Sequence, residues 1–278
     1  MSIVLSVLAC FGWGIADFIG GFKSRTMSTL IILLVSTLTG CVFLALILWF
    51  VNKPFPADPL LVWAIPAGIT GLAAISMLYR SLAVGTISIL APISASGVIL
   101  PVIWGLCSGD TVSGLSLFGI IIAISGSLMA VIEKDPEKNT KKLTKGIGLA
   151  TGSAVLVGIY FITMDRACTF HPIWASMITR VSTIIVLAPV IFFMKPGLNT
   201  GKTQLGFLIF MGLMDTSAAF CFALASSKGM LSQVAVISSL YPAVTVILST
   251  IIAKERIRKI QGAGVFLAIT GIALISAF

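Results

Sequence analysis

The strongest constraint on this chain is a repeated pattern of about ten apolar blocks, each about twenty residues long. Nearly every charged residue falls between these blocks rather than inside them. A helix rises about 1.5 Å per residue, so each block is long enough to cross a hydrocarbon layer of about 30 Å. The apolar runs are continuous rather than alternating, which is typical of membrane helices and not of membrane strands. The pattern predicts an all-α polytopic membrane protein.

Composition excludes the common classes of soluble protein. Apolar residues make up 58% of the chain and charged residues only 10%, whereas a soluble domain carries about 25% charged residues. The net charge of +9 comes mainly from Lys and Arg in connecting segments, so it predicts contact with lipid headgroups rather than with nucleic acid. One histidine and five scattered cysteines offer no metal site, and no phosphate-binding loop occurs. We therefore expect no cofactor and no enzymatic activity.

The connecting segments divide the chain into two halves. The predicted membrane spans are residues 2–22, 27–51, 60–82, 86–107, 113–132, 146–165, 172–194, 203–226, 230–252 and 260–278. Most loops are short and leave no room for a soluble catalytic domain, whereas residues 134–145 form a polar run near the midpoint. We predict a first five-helix repeat at 1–133, a charged cytoplasmic linker at 134–145 and a second five-helix repeat at 146–278.

Small residues recur between the halves at a fixed offset. Four of them, at the start of the fourth span, return 144 residues later at the start of the ninth. They are Gly85, Ser88, Ala91 and Ser94, and then Gly229, Ser232, Ala235 and Ser238. Gly14 returns as Gly158 at the same offset. Each half has five spans, an odd number, so we predict two inverted repeats of ten helices in all, as is typical of secondary transporters.

A family motif precedes the last span and continues into it. The run Glu255–Gly264, with the sequence ERIRKIQGAG, followed by Gly271, resembles the closing signature of EamA-type repeats in the drug/metabolite transporter superfamily. A degenerate copy at Asp110–Gly126 closes the first half, and Trp13–Gly14 resembles the first helix of that family. The resemblance implies a secondary transporter that moves a small organic metabolite, an amino acid or a related solute, by alternating access, with export favoured. It also implies that spans 1, 3, 4, 6, 8 and 9 enclose the cavity.

The sequence leaves the substrate, the coupling ion, the direction of transport and the oligomeric state open. A lipid-carrier flippase of the same fold is the alternative, and lateral openings lined by basic groups would favour it. An intramembrane enzyme or a non-transporting membrane subunit is less well supported. An enzyme would need clustered acids, histidines or a nucleophile–base pair at one depth, and the sequence lacks them. The expected partners are a small-molecule substrate, the lipid bilayer and, as a candidate, a coupling proton.

Three charged residues stand out because they lie well inside predicted spans, where a charge costs at least about 2.5–3.5 kcal/mol on insertion scales. Arg180 and Asp215 lie at similar depth on consecutive helices, so an ion pair between them is expected. That pair either locks the two helices together or leaves Asp215 to act on a substrate or a proton. Asp17 follows Trp13 by one helical turn on the same face, which suits a cationic or zwitterionic amine. Alternatively, Asp17 meets Lys23 or water at the membrane interface.

Aromatic and hydroxyl side chains complete the predicted site. Pro92, Pro101 and Pro242 interrupt the fourth and ninth spans, and interrupted helices at corresponding repeat positions mark transporter sites. If transport is coupled to protons, one carboxylate must change its protonation state. Asp215 is the choice because it lies nearest the bilayer centre, although contact with Arg180 would oppose that role. The predicted substrate-binding residues are Trp13, Asp17, Tyr79, Ser94, Tyr160, Asp215, Phe220, Ser238 and Tyr241.

The distribution of basic residues predicts the orientation in the membrane. Fourteen Lys and Arg residues lie in odd-numbered loops and only three lie in even-numbered loops. Short cytoplasmic loops carry the excess of positive charge in membrane proteins. We therefore expect a multi-pass protein of the plasma (inner) membrane, with its odd-numbered loops in the cytoplasm and both termini outside.

Cysteine labelling tests this orientation. In a variant without the five native cysteines, Lys138→Cys should react only after the membrane is permeabilised, because the linker is predicted to be cytoplasmic. Lys228→Cys and a tag after Phe278 should be reached by an impermeant reagent from outside intact cells. A cytoplasmic location of Phe278 in a folded variant would contradict the orientation.

Overall fold

The protein is an all-helical bundle in a computed structural model that describes residues 1–85, 87–111, 113–129, 140–197, 202–254 and 259–277. Twelve α-helices lie in these ranges, and no strand does. Short 3₁₀ turns at Pro59–Trp63 and Ser96–Val98 precede α3 and α5. The helices are α1 (Ser2–Lys23), α2 (Thr29–Val51), α3 (Ala64–Val84), α4 (Ile87–Ala95), α5 (Ile99–Cys107), α6 (Gly114–Met129), α7 (Thr140–Cys168), α8 (Pro172–Met194), α9 (Lys202–Ser226), α10 (Leu231–Ser238), α11 (Tyr241–Ile251) and α12 (Lys259–Ala277).

Seven helical segments in the described ranges are long and apolar enough to cross a membrane, judged by length and composition. They are α1, α2, α3 with its 3₁₀ turn, most of α7, α8, α9, and α10 joined to α11. Two further stretches, Ile93–Cys107 and Leu117–Gly126, are apolar but shorter. The predicted all-α polytopic class is therefore confirmed, while the predicted count of ten spans is not reached by this measure.

The predicted linker is partly helical. Residues 140–145, which the sequence analysis assigned to the linker, form the first turns of α7. This Lys-rich stretch consists largely of good helix formers and is continuous with the apolar helix that follows, so the helix extends into it. The remainder of the linker, residues 134–139, and residues 255–258 of the family motif lie outside the described residues.

The predicted fourth and ninth spans are each broken near the middle. A 3₁₀ turn separates α4 from α5, and Ser239–Leu240 separate α10 from α11. Pro101 and Pro242 have no N–H group to bond the carbonyls of Gly97 and Ser238, as a continuous helix would require. Under the 144-residue offset the two breaks overlap at Ser96 and Leu240, and the interruption of both spans agrees with the prediction from the prolines, although α4 continues through Pro92.

The two halves pack against each other in a reciprocal way. Helix α1 packs on α9, and its counterpart α7 packs on α3, which is the counterpart of α9. Likewise α2 contacts α9 while α8 contacts α3. Helix α1 also contacts the broken pair α10–α11, and α7 contacts the broken pair α4–α5. Corresponding helices therefore exchange partners between the halves, as a two-fold relation between repeats requires.

Glycines allow the unbroken helices α1 and α7 to approach the interrupted span of the opposite half. A Cβ added at Gly14 of α1 would lie 2.8 Å from the carbonyl oxygen of Tyr241. A Cβ added at Gly158 of α7 would lie 2.7 Å from the carbonyl oxygen of Gly97. Both pairs are related by the offset of 144 residues, and both contacts involve backbone that cannot rotate away. Gly14 and Gly158 thus mark a close contact between helix backbones that is repeated in the two halves.

Alanine substitution tests these contacts. Gly14→Ala and Gly158→Ala should each destabilise the protein by about 1–3 kcal/mol, because the added methyl group overpacks a backbone contact. The measurement is the melting temperature of purified protein in detergent. Gly148→Ala lies on the same helix as Gly158, at an exposed position with nothing within 4 Å, and should leave the melting temperature unchanged. Equal melting temperatures of the three variants would contradict close packing at Gly14 and Gly158.

Candidate functional site

A cavity of about 100 Å³ lies at the centre of the bundle, between the two halves of the chain. The first half contributes α1, α2 and α3 to its wall, and the second half contributes α7, α8, α9 and α11. Concave sites between the helices of a bundle are common places for ligands to bind. The lining residues are Trp13, Asp17, Leu33, Ser36, Thr37, Gly68, Gly71, Leu72, Ala74, Ile75, Tyr79, Val157, Tyr160, Phe161, Ser176, Thr179, Arg180, Thr183, Asp215, Ala219 and Tyr241.

Arg180 and Asp215 form an ion pair in the cavity wall. Nη1 of Arg180 lies 2.8 Å from Oδ2 of Asp215, and both side chains are largely buried. Gly40 on α2 makes room for the arginine, since a Cβ there would lie 3.3 Å from its Nε atom. The two residues that the sequence placed at similar depth are therefore in direct contact. The contact lowers the cost of burying either charge in an apolar bundle.

Asp17 lies in the same cavity and is only 3% exposed. Its Oδ1 atom accepts a hydrogen bond from the hydroxyl group of Tyr79, at the long distance of 3.4 Å. Lys23, the alternative partner considered from the sequence, instead places its Nζ atom 4.8 Å from the ring centroid of Phe207. In the described part of the chain, Asp17 forms no ion pair. Its carboxyl group is therefore buried beside the cavity with one neutral partner.

Trp13 is the centre of an aromatic cluster in the wall next to Asp17. Its ring is nearly perpendicular to those of Tyr160 and Tyr241, with 6.4 Å between centroids in each case. Phe161 also packs on Trp13, with 5.7 Å between their centroids. All four aromatic rings line the cavity, so the structure brings together three of the predicted aromatic residues and adds Phe161.

The two predicted serines lie outside the cavity. The hydroxyl group of Ser94 is 2.8 Å from that of Ser153 on α7. The hydroxyl group of Ser238 donates to the carbonyl oxygen of Ser6 on α1, at 3.5 Å. Both serines are fully buried between helices. Their place in the sequence repeat is thus explained by helix packing, and Ser94 also hydrogen-bonds Tyr241 of the cavity wall, so contact of either serine with a substrate stays a prediction.

Phe220 is also outside the described lining of the cavity. It is half-buried, while Phe222 packs on Trp13 with 5.7 Å between ring centroids. Successive residues of a helix point about 100° apart, so a difference of two positions along α9 selects a different face. Neither phenylalanine is in the described lining, and contact of Phe220 with a substrate stays a prediction.

A polar stripe on α8 is the feature that the sequence analysis missed. Ser176, Thr179 and Thr183 line the cavity with Arg180 at the spacing i, i+3, i+4 and i+7 of one helix face. In the sequence, the spacing of these hydroxyl residues around an arginine inside a predicted span was the signal that could have identified this helix face. Helices α2 and α8, the predicted spans 2 and 7, contribute to the lining, whereas no described residue of α4 or α5 does. The implied set of enclosing spans is corrected accordingly.

Contacts near both ends of the bundle hold the helices together beyond the cavity. At the end that holds the α1–α2 loop, the ring of Tyr79 packs directly on Gly20, and Ser24 donates to the carbonyl oxygen of Tyr79 at 3.0 Å. At the opposite end, the indole N–H of Trp174 donates to the carbonyl oxygen of Pro54 at 3.0 Å. The loop between α2 and α3 is thereby fastened to the start of α8.

Membrane transporters are commonly polytopic helical bundles with charged side chains around a central cavity. The chain belongs to the EamA-like transporter family, whose model matches residues 1–132 and again residues 144–277. The two matches establish a two-repeat architecture. A solved structure described only as "Crystal structure of protein" shares the fold, with a TM-score of 0.75 over 97% of this chain and 96% of that one, at 12% identity. No curated protein matches the chain.

A double-mutant cycle measures the coupling between Arg180 and Asp215. Arg180→Gln or Asp215→Asn alone should cost about 3–5 kcal/mol, because each leaves the opposite charge buried without a partner. The double variant should recover much of that loss, and the melting temperatures in detergent give the comparison. Simple additivity of the two single effects would show that the charges are stabilised by separate partners.

Proposed function

We propose that the protein is a secondary transporter that moves a small organic solute, an amino acid or a related compound, by alternating access. One observation carries the proposal: Asp17, Arg180 and Asp215 converge on a single cavity between the two repeats. Ionisable groups inside a membrane bundle are costly, and they typically mark pathways for substrates or ions. Membership of a transporter family supports the same interpretation.

We further propose that ten helices cross the membrane as two inverted repeats, at 1–133 and 146–278, joined by the charged linker. In this count α4 with α5, and α10 with α11, are each one interrupted span. The reciprocal packing of α1 on α9 and of α7 on α3 supports the inversion. Because corresponding helices make equivalent contacts, the two halves are suited to exchange conformations between outward-facing and inward-facing states.

The size of the cavity favours a compact solute. Its volume of about 100 Å³ is well below the 300–1,000 Å³ that is usual for drug-sized ligands. A lipid carrier would need space for long chains, so the flippase alternative has less support. We propose export as the direction, since exchange against protons that enter the cell down their gradient would drive a solute outward.

Reconstitution into vesicles tests the transport function. Purified protein is first screened for solutes that raise its melting temperature, because ligands that bind the native state stabilise it. Those solutes are then offered as radiolabelled compounds to vesicles that are loaded with unlabelled solute. Uptake against the unlabelled pool is expected, since a carrier exchanges one solute molecule for another. No exchange of any stabilising solute by folded wild-type protein would contradict the proposal.

Two glycine variants supply the matched control. A Cβ at Gly71 would point at the ring of Tyr160 inside the cavity, 3.2 Å away, so Gly71→Leu should obstruct the cavity and abolish exchange. Gly206→Leu places the same side chain at an exposed position with nothing within 4 Å and should exchange normally. Equal exchange by the two folded variants would show that the solute does not pass through this cavity.

A further inference from the structure

We propose that Asp17 binds the ammonium group of a compact organic amine in exchange for a proton. This inference rests on the proposed transport function and names the substrate class and the coupling residue of the same site. It differs from the expectation drawn from the sequence, in which Asp215 carried the proton. The geometry of the three charged residues favours Asp17 over Asp215 as the residue that carries the proton.

The charge balance of the cavity is the first argument. Three charged residues are present in its described lining, namely Asp17, Arg180 and Asp215. Arg180 is compensated by Asp215 at 2.8 Å, so one acidic group has no opposite charge. A buried carboxylate in that position must either hold a proton or bind a cation, because a bare charge in an apolar bundle is too costly.

The ion pair separates the roles of the two acids. Asp215 is already in contact with a guanidinium group that is always charged, so this acid has a cationic partner without any solute. Among the described residues, the side chain that hydrogen-bonds Asp17 is Tyr79, at a long distance. A change of protonation at Asp17 therefore breaks one weak contact, whereas protonation of Asp215 would strand Arg180. Asp17 is the acid that can change its charge at lower cost.

The groups around Asp17 are consistent with this assignment. Helix α3 presents Tyr79, α11 presents Tyr241, and α9 presents Asp215, whose charge disfavours a second carboxylate nearby. Helix α10, which also packs on α1, carries no titratable side chain. In the described part of the chain, the cation that lines the cavity is Arg180, and Asp215 already engages it. An incoming cation would supply what the site lacks.

The aromatic wall identifies the cation as an organic ammonium group. Trp13 lies one helical turn before Asp17, and Tyr160 and Tyr241 pack against its edges. Aromatic faces attract ammonium groups that carry carbon substituents, by about 0.5–2 kcal/mol each. In the proposed complex the ammonium charge would lie against the carboxylate of Asp17, and its carbon substituents would lie against the aromatic rings of the wall. A metal ion would instead require several oxygen ligands.

The exchange conserves protons and charge. The empty site holds Asp17 as the neutral acid. When the amine enters as its ammonium cation, the O–H bond of Asp17 breaks, the proton leaves to water on the side from which the cation came, and the carboxylate pairs with the cation. On the other side the cation leaves and the carboxylate takes up a proton from water. One monovalent cation moves against one proton, so no net charge crosses the membrane.

Binding to purified wild-type protein is the first test. The probes are choline, butylammonium and phenethylammonium, with 3,3-dimethylbutan-1-ol as the neutral analogue of choline. At least one cation should raise the melting temperature at millimolar concentration, whereas the neutral analogue should not. Each bound cation should release about one proton into weakly buffered solution, and its affinity should rise up to about tenfold per pH unit.

Variants of single residues identify the carboxyl group that releases the proton. Asp17→Asn should lose both cation binding and proton release, and in vesicles it should lose accumulation driven by a pH gradient. Asp165→Asn removes a carboxylate of α7 that lies outside the described cavity lining, where it accepts a hydrogen bond from Ser226, and it should retain both properties. Asp215→Asn should be less stable but should still release a proton on binding. The melting temperature of each empty variant controls for folding.

Distinct results overturn the inference and the transport proposal. Proton release that persists in Asp17→Asn and disappears in folded Asp215→Asn would assign the coupling to Asp215. Exchange of neutral or anionic solutes, with no binding of the three cations, would reject the amine as substrate and leave transport intact. Failure of every solute to exchange in vesicles would reject transport itself. Uptake that depends on membrane potential rather than on the pH gradient would reject electroneutral exchange.

Discussion

Close approach between helix backbones is the interaction on which the rest of this structure depends. Lipid tails are as apolar as the surfaces of the helices, so burial of apolar side chains gives little drive for helix association in a bilayer. The bundle instead uses small residues where one helix meets the backbone of another. Gly14 meets the carbonyl group of Tyr241, and Gly158 meets that of Gly97. Because these contacts recur in both halves, the scaffold is nearly symmetric.

The charges break that symmetry. Under the offset of 144 residues, the counterparts of Arg180 and Asp215 are Ser36 and Gly71, and the counterpart of Asp17 is Phe161. All six positions line the cavity. At each of these three pairs of positions one half carries a charged residue and the other half a neutral one, and both halves contribute charges to the cavity.

Much of the fold could be predicted from the sequence, because bilayer thickness and hydrogen bonding leave few choices. Apolar runs of about twenty residues predicted helices, and the prolines predicted where the fourth and ninth spans are interrupted. Arg180, Asp215 and Asp17 stood out because charges are rare inside apolar segments. Trp13 followed from its spacing to Asp17, and Tyr160 and Tyr241 followed from their positions well inside their spans.

The sequence by itself determined the helical class, the two-repeat order and the residues that carry charge, since these follow from composition and spacing along the chain. The tertiary structure decided which face of each helix meets the cavity. It selected Phe222 over Phe220 for the contact with Trp13, buried Ser94 and Ser238 between helices, and brought α2 and α8 to the wall. It also paired Asp215 with Arg180, while Asp17 has no ion-pair partner among the residues that the structure describes. Helix rotation and side-chain contact depend on neighbours that are distant in the chain, and hydropathy contains no information about them.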